Sequence, residues 1–134
     1  MGAIPEDVHE ICMALPEVEL GTSWGDRPTY KVPAGPKGRG FLLYRGPRPD
    51  AVDPETGKRY DDVILITTSD EGTKLALAED PATPFFTTDH FRGHSGILVR
   101  ESRLGELSRE RLAEVILEAW ATVAPPRLVR ARLG

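Results

Sequence analysis

Apolar residues near the start of the chain recur at helical spacing. Val8, Ile11, Cys12 and Leu15 fall on one face and predict a helix from about Pro5 to Leu15. Pro5 suits a first helical position, Glu6 and Asp7 suit the positive helix end, and Pro16 stops the run. The pattern then changes to strand character. Thr29 to Val32 alternates, Phe41 to Tyr44 is a short apolar run, and Asp62 to Thr67 holds Val63-Ile64-Leu65-Ile66. Between the last two lies a long connector. In it, Asp53 to Lys58 reads as a tight turn with Gly57 at positive φ, closing a ribbon that projects from the core. Ser69 can cap a second helix to Glu79, with Leu75 and Ala78 facing inward. Phe85 to Thr88 and Gly96 to Arg100 read as two more strands. Ser108 can cap a third helix whose stripe is Leu112, Val115, Ile116, Ala119, Trp120 and Val123, and Pro126 can open a fourth to Leu133.

This order, α-βββ-α-ββ-α-α with short links between consecutive strands, predicts a two-layer α+β fold. Its antiparallel five-stranded sheet carries helices on one face. At 134 residues the sequence is one domain's worth, spanning 1–134. No apolar run approaches the roughly 20 residues that span a bilayer. The N-terminal stretch lacks the basic and apolar regions of a signal peptide. The expectation is a cytoplasmic domain with no membrane partner. A single cysteine, Cys12, excludes an internal disulfide and a cysteine-rich zinc site, and its place on the apolar face makes it core packing.

Charge changes the picture locally. The formal net charge is −4, which argues against a general nucleic-acid coat. Yet residues 27–59 hold eight basic groups against three acidic ones. Arg27, Lys37, Arg39, Lys58 and Arg59 are the candidates there for contacts to a phosphate backbone, with solvated edge protection as the alternative. The segment Asp89-His90-Phe91-Arg92-Gly93-His94 is the most unusual in the chain. Histidine is the residue type suited to proton transfer near neutral pH, which singles out His90, and Arg92 offers a fork for a carboxylate or phosphate. No cysteine or glutamate nearby completes a metal set with His90 and His94, so neither metal nor cofactor is expected. Trp24, in a Gly/Pro turn, can line a pocket or pack over a sheet edge. No nucleophile with a base and an orienting group stands out, so an enzymatic role is the least favoured reading.

Three segments together carry a family resemblance: Leu15 to Trp24-Gly25 with Pro28 to Val32, Phe86 to Arg100, and Ala119-Trp120 to Val129. In this order they resemble the MmcQ/YjbR family, with a long Arg45 to Asp61 insert and Phe91 in place of tyrosine as departures. The resemblance implies an antiparallel five-stranded sheet with helices on one side, similar to type III secretion chaperones and to the frataxin-like, double-wing arrangement. It implies no established activity. A DNA-binding role attaches to it through fold analogy. The site candidates it carries over are Trp24, Asp89, His90 and Gly93, with Arg92 added on its chemistry. Two readings of function follow: DNA bound by the basic loops, or a small anion or protein partner held near Trp24, His90 and Arg92.

Overall fold

The computed structural model describes residues 2–23, 27–45, 52–88 and 96–133. The element order is α1 (Pro5–Met13), β1 (Glu19–Ser23), β2 (Arg27–Val32), β3 (Arg39–Arg45), β4 (Val63–Thr67), α2 (Glu71–Glu79), β5 (Gly96–Arg100), a 3-10 helix (Glu101–Glu106), α3 (Arg109–Val123) and α4 (Pro126–Leu133). The strands form one antiparallel sheet in sequence order, β1 to β5. The expected two-layer α+β fold with five strands is therefore present.

One strand is placed differently from expectation. Four strands precede α2 and one follows it. The unexpected strand is β1, whose Glu-Leu-Gly-Thr-Ser sequence has no apolar alternation. Pairing with β2 from Glu19↔Lys31 to Ser23↔Arg27 creates it. The Phe85–Thr88 segment contributes only a bridge, Phe86↔Leu98, against the outer edge of β5.

Two core layers follow from the period-2 alternation of the strands. Ile64 and Ile66 of β4 and Ile97 and Val99 of β5 face the helices, joined there by Tyr30, Val32, Leu112, Ile116 and Trp120. Val63 and Leu98 face the other way, under Tyr60, Leu65 and Phe86. Alternation breaks once. The register passes from Tyr30↔Leu42 to Lys31↔Gly40, leaving Phe41 as an extra residue on β3. This bulge lets consecutive Phe41 and Leu42 both be buried in the main core.

The helix ends show local rules at work. Ser108 caps α3 by accepting from the Arg111 amide at 3.0 Å, as the sequence predicts. In α2 the cap is Asp70, not Ser69: its carboxylate accepts from the Thr73 amide at 2.7 Å. Ser69 instead donates to Glu118 of α3 at 2.8 Å. The inward face of α2 is Leu77 with Lys74, while Leu75 is 40% exposed, so the expected inward Leu75 is corrected. Lys74 is buried whole, with its ammonium 3.7 Å from the Glu71 carboxylate.

The turn after α1 locks the two ends of the chain together. Pro16 offers its carbonyl to the Trp120 indole N–H at 3.1 Å. Glu17, at φ 55° in the left-handed region, takes both guanidinium branches of Arg127 at 2.9 and 3.3 Å. The Leu15-Pro16-Glu17 and Ala119 to Val129 segments of the resemblance are thus in contact, and what they build is a structural lock. Cys12 is fully buried, and burial pushes its thiol up to about 12. We expect a thiol reagent to leave the native protein unmodified and to label Cys12 only on unfolding. Rapid labelling in the absence of denaturant, read by absorbance, would contradict this placement.

Candidate nucleic-acid interface

The sheet register sorts the basic candidates into two groups. At one end of the sheet lie Glu19, Val32, Arg39, Thr67 and Gly96. At the other lie Ser23, Arg27, Arg45, Val63 and Arg100. Lys37 sits in the β2–β3 turn, beside Arg39 at the first end, and both are exposed. Lys58 and Arg59 are exposed in the turn that leads into β4 at the second end, with half-buried Arg27 at that end too. The two groups are separated by the length of β3, roughly 20 Å for seven residues at about 3.3 Å each. They do not converge on one point.

The turn that carries Lys58 and Arg59 has the expected form. Gly57 adopts φ 72° and donates to the Asp53 carbonyl at 2.8 Å, and Asp53 donates to the Lys58 carbonyl at 2.9 Å. The Asp53 carboxylate accepts from the Glu55 amide at 2.8 Å. The projecting ribbon expected around it reduces, among the described residues, to the single bridge Val52↔Arg59. Arg45, counted with the basic loops in the sequence, is 3% exposed within the sheet and offers no surface charge.

Pairing divides the cations of the described residues. Arg100 binds Asp62, Arg103 binds Glu106, Arg109 binds Asp7, Arg111 binds Glu114 and Arg127 binds Glu17, at 2.6 to 3.0 Å. Among the described residues, Arg27, Lys37, Arg39, Lys58 and Arg59 have no such carboxylate, and neither have Lys31, Arg130 and Arg132. Each side chain in the first set has part of its charge satisfied internally, whereas the second set keeps its charge for solvent or a ligand.

Trp24, Asp89, His90, Arg92 and Gly93 lie outside the described residues. Their flanking positions are described. Thr88 and Gly96 bound the His90 segment, and Gly96 pairs with Thr67. Ser23 and Arg27 bound the Trp24 turn and pair with each other at the opposite end of the sheet. Among the described residues no group of histidine, cysteine or carboxylates is arranged to hold a metal ion, and no helix is long and apolar enough to cross a membrane.

Two features escape sequence reading. One is a polar chain under α1. His9 Nδ1 lies 2.8 Å from the Tyr30 hydroxyl, and Tyr30 packs near Tyr44. Burial, with the Cys12 charge second, pushes Tyr30 up to about 12, so it remains a neutral phenol at physiological pH. The other is a cleft of about 290 Å³ on the outer side of the sheet, lined by Tyr60, Phe86, Arg100 and Arg103 among others. The β4–β5 pairing brings these together from distant positions in sequence, so spacing carries no signal of them.

Asp62 anchors that cleft. Its carboxylate accepts from Arg100 Nε at 2.9 Å and from the Ser102 amide at 3.1 Å. Burial pushes its pKa up, but these hydrogen bonds and the Arg100 charge outweigh burial and hold it below its ordinary 3.8. A depressed folded-state pKa adds stability that is fully present above 3.8 and is lost as pH falls through the lower folded value. Asp62→Asn is therefore expected to destabilise the protein at neutral pH, with the difference from wild type shrinking below pH 3.8. Thermal midpoints across pH check this, and a difference independent of pH would contradict it.

Comparison with known proteins supplies the context. A family model described as YjbR matches residues 13–122. The uncharacterized protein Rv2570 of Mycobacterium tuberculosis is 44% identical over 73 residues, 54% of this chain and 54% of its own length. The uncharacterized protein Mb2600 of Mycobacterium bovis matches equally. The chain spans about half the length of these curated relatives. The crystal structure of Deinococcus radiodurans protein DR2400, with a DUF419 domain, matches with a TM-score of 0.58 at 16% identity, over 90% of this chain and 78% of that one. That likeness is one of fold.

Proposed function

From the premise that the chain belongs to the YjbR family, we propose that it binds the phosphate backbone of DNA. Lys37 with Arg39 forms one patch, and Lys58 and Arg59 with Arg27 form the other. The observation that carries this reading is the division of cations. Five arginines outside the 27–59 stretch are tied to carboxylates, while these five basic residues have none among the described residues. A protein of net charge −4 that holds these five cations without a carboxylate, in two groups at the two ends of its sheet, has patches able to take the place of counterions on a polyanion.

The spacing fits a backbone lying along the sheet. Roughly 20 Å covers about six phosphates at 3.4 Å per nucleotide of a stacked strand. The second reading, a small anion or protein partner near Trp24, His90 and Arg92, has its candidates outside the described residues. The basic candidates of the first reading lie within the described residues, so the first reading is preferred. Fluorescence anisotropy of a labelled oligonucleotide at about 50 mM salt tests it, because electrostatic binding is strong at that ionic strength. Saturable binding is expected, and no binding would refute the reading.

A further inference from the structure

The cleft on the outer face combines two aromatic rings with arginine donors. The Arg100 guanidinium carbon lies 4.0 Å from the centre of the Tyr60 ring. Phe86 stands edge-on to Tyr60, ring centres 6.5 Å apart and planes at 70°. Arg100 already covers one face of Tyr60 and the two rings are nearly perpendicular, so a further ring can stack on one of them at a time, and Phe86 is the ring without a cation over it.

Its donors are arranged for a neutral partner. Asp62 takes only the Nε of Arg100, leaving both terminal nitrogens of that guanidinium without a hydrogen bond among the described residues. Glu106 takes Nε and Nη2 of Arg103 and leaves Nη1. Each arginine charge is balanced by its own carboxylate, so a free anion gains little there. A planar heterocycle with carbonyl acceptors gains both stacking and N–H donors. The volume, about 290 Å³, lies at the small end of ligand pockets, room for one ring system.

The position of the cleft selects among such heterocycles. Tyr60 directly follows Lys58 and Arg59, two of the uncommitted cations, and both are exposed. A heterocycle attached to a phosphate can place its phosphate on that turn and its ring in the cleft.

We propose that this cleft receives one nucleobase of a single-stranded nucleic acid. The ring stacks on the Phe86 ring, and its carbonyl oxygens accept from Arg100 and Arg103. In a duplex both faces of each base are stacked and its edge is paired, so a base enters only from a single strand or after flipping. This inference rests on the phosphate-binding reading and adds to it the form of nucleic acid bound.

The test compares a labelled oligothymidine with an abasic strand of the same length and charge, by anisotropy at one low salt concentration. Stacking of a single base predicts that wild-type protein binds oligothymidine at least about 5-fold more tightly than the abasic strand. Phe86→Ala should remove that preference, provided its thermal transition shows that it folds. Where it does not fold, the wild-type comparison decides alone. Equal binding of the two strands by wild type would overturn the base cleft and leave the phosphate reading standing. Binding of neither strand would overturn both.

Discussion

Replacing Trp120 with alanine is expected to remove roughly 3–5 kcal/mol of stability. Its indole is fully buried on the inner stripe of α3, among the largest side chains of the core. Two losses combine. The cavity leaves residues on the sheet and on α1 without contacts, and the indole N–H no longer reaches the Pro16 carbonyl, 3.1 Å away. That carbonyl belongs to the turn in which Glu17 holds a left-handed conformation against Arg127, so the damage extends to the junction of α1 with α4. Domains of this size are stable by about 5–15 kcal/mol, and the variant is expected to be partly unfolded at physiological temperature. Trp120→Phe separates the two losses. It keeps most of the volume and loses the hydrogen bond, roughly 1 kcal/mol. Urea unfolding of the three proteins measures both differences, and equal midpoints for wild type and Trp120→Ala would contradict the packing described.

Removing Lys37, Arg39, Lys58 and Arg59 together, each to alanine, is expected to abolish DNA binding while leaving the fold intact. All four are exposed and none holds a carboxylate among the described residues, so each substitution is expected to change stability by no more than about 0.5 kcal/mol. Binding depends on them differently. Each phosphate neutralised contributes about 0.7 to the slope of log affinity against log salt for a single strand. These four of the five proposed contacts therefore carry most of the slope and most of the affinity. Changing one pair alone should leave weaker binding with about three-fifths of the slope, because the two patches sit at opposite ends of β3. A fourfold variant that binds as wild type does, with an unchanged melting curve, would remove the basic loops from the account.

The helical parts of the fold were legible because periodicity is strong where one face of a long element is buried. The stripe of α3 and its Ser108 cap follow directly from the sequence. The less legible parts have physical reasons. β1 exists because β2 offers an edge, and Glu19 to Ser23 carry almost no apolar signal of their own. In α2, Ser69 and Asp70 are adjacent residues of equal capping chemistry, and only the Ser69 hydrogen bond to Glu118 decides between them. Lys74 is buried whole with its charge near Glu71, which a polar–apolar pattern cannot express.

The candidate site divides in the same way. The excess of positive charge over residues 27–59 is plain in the composition. Its separation into two patches is not, because the register that puts Arg39 and Val63 at opposite ends of the sheet emerges only from strand pairing. The structure also shows that Arg45 is buried and that Arg100, Arg103, Arg109, Arg111 and Arg127 are each occupied by a carboxylate. The Tyr60, Phe86 and Arg100 cleft has no local motif, since the β4–β5 pairing assembles it.

Whether the basic loops contact phosphate is read from the salt dependence of DNA binding by the wild-type chain. Affinity for a short single strand, measured by anisotropy between about 50 and 200 mM salt, should fall along a log–log line of slope about −3.5, the value for five phosphate contacts. A slope near zero, or no binding at the lowest salt, would contradict the assignment of Arg27, Lys37, Arg39, Lys58 and Arg59 as phosphate contacts.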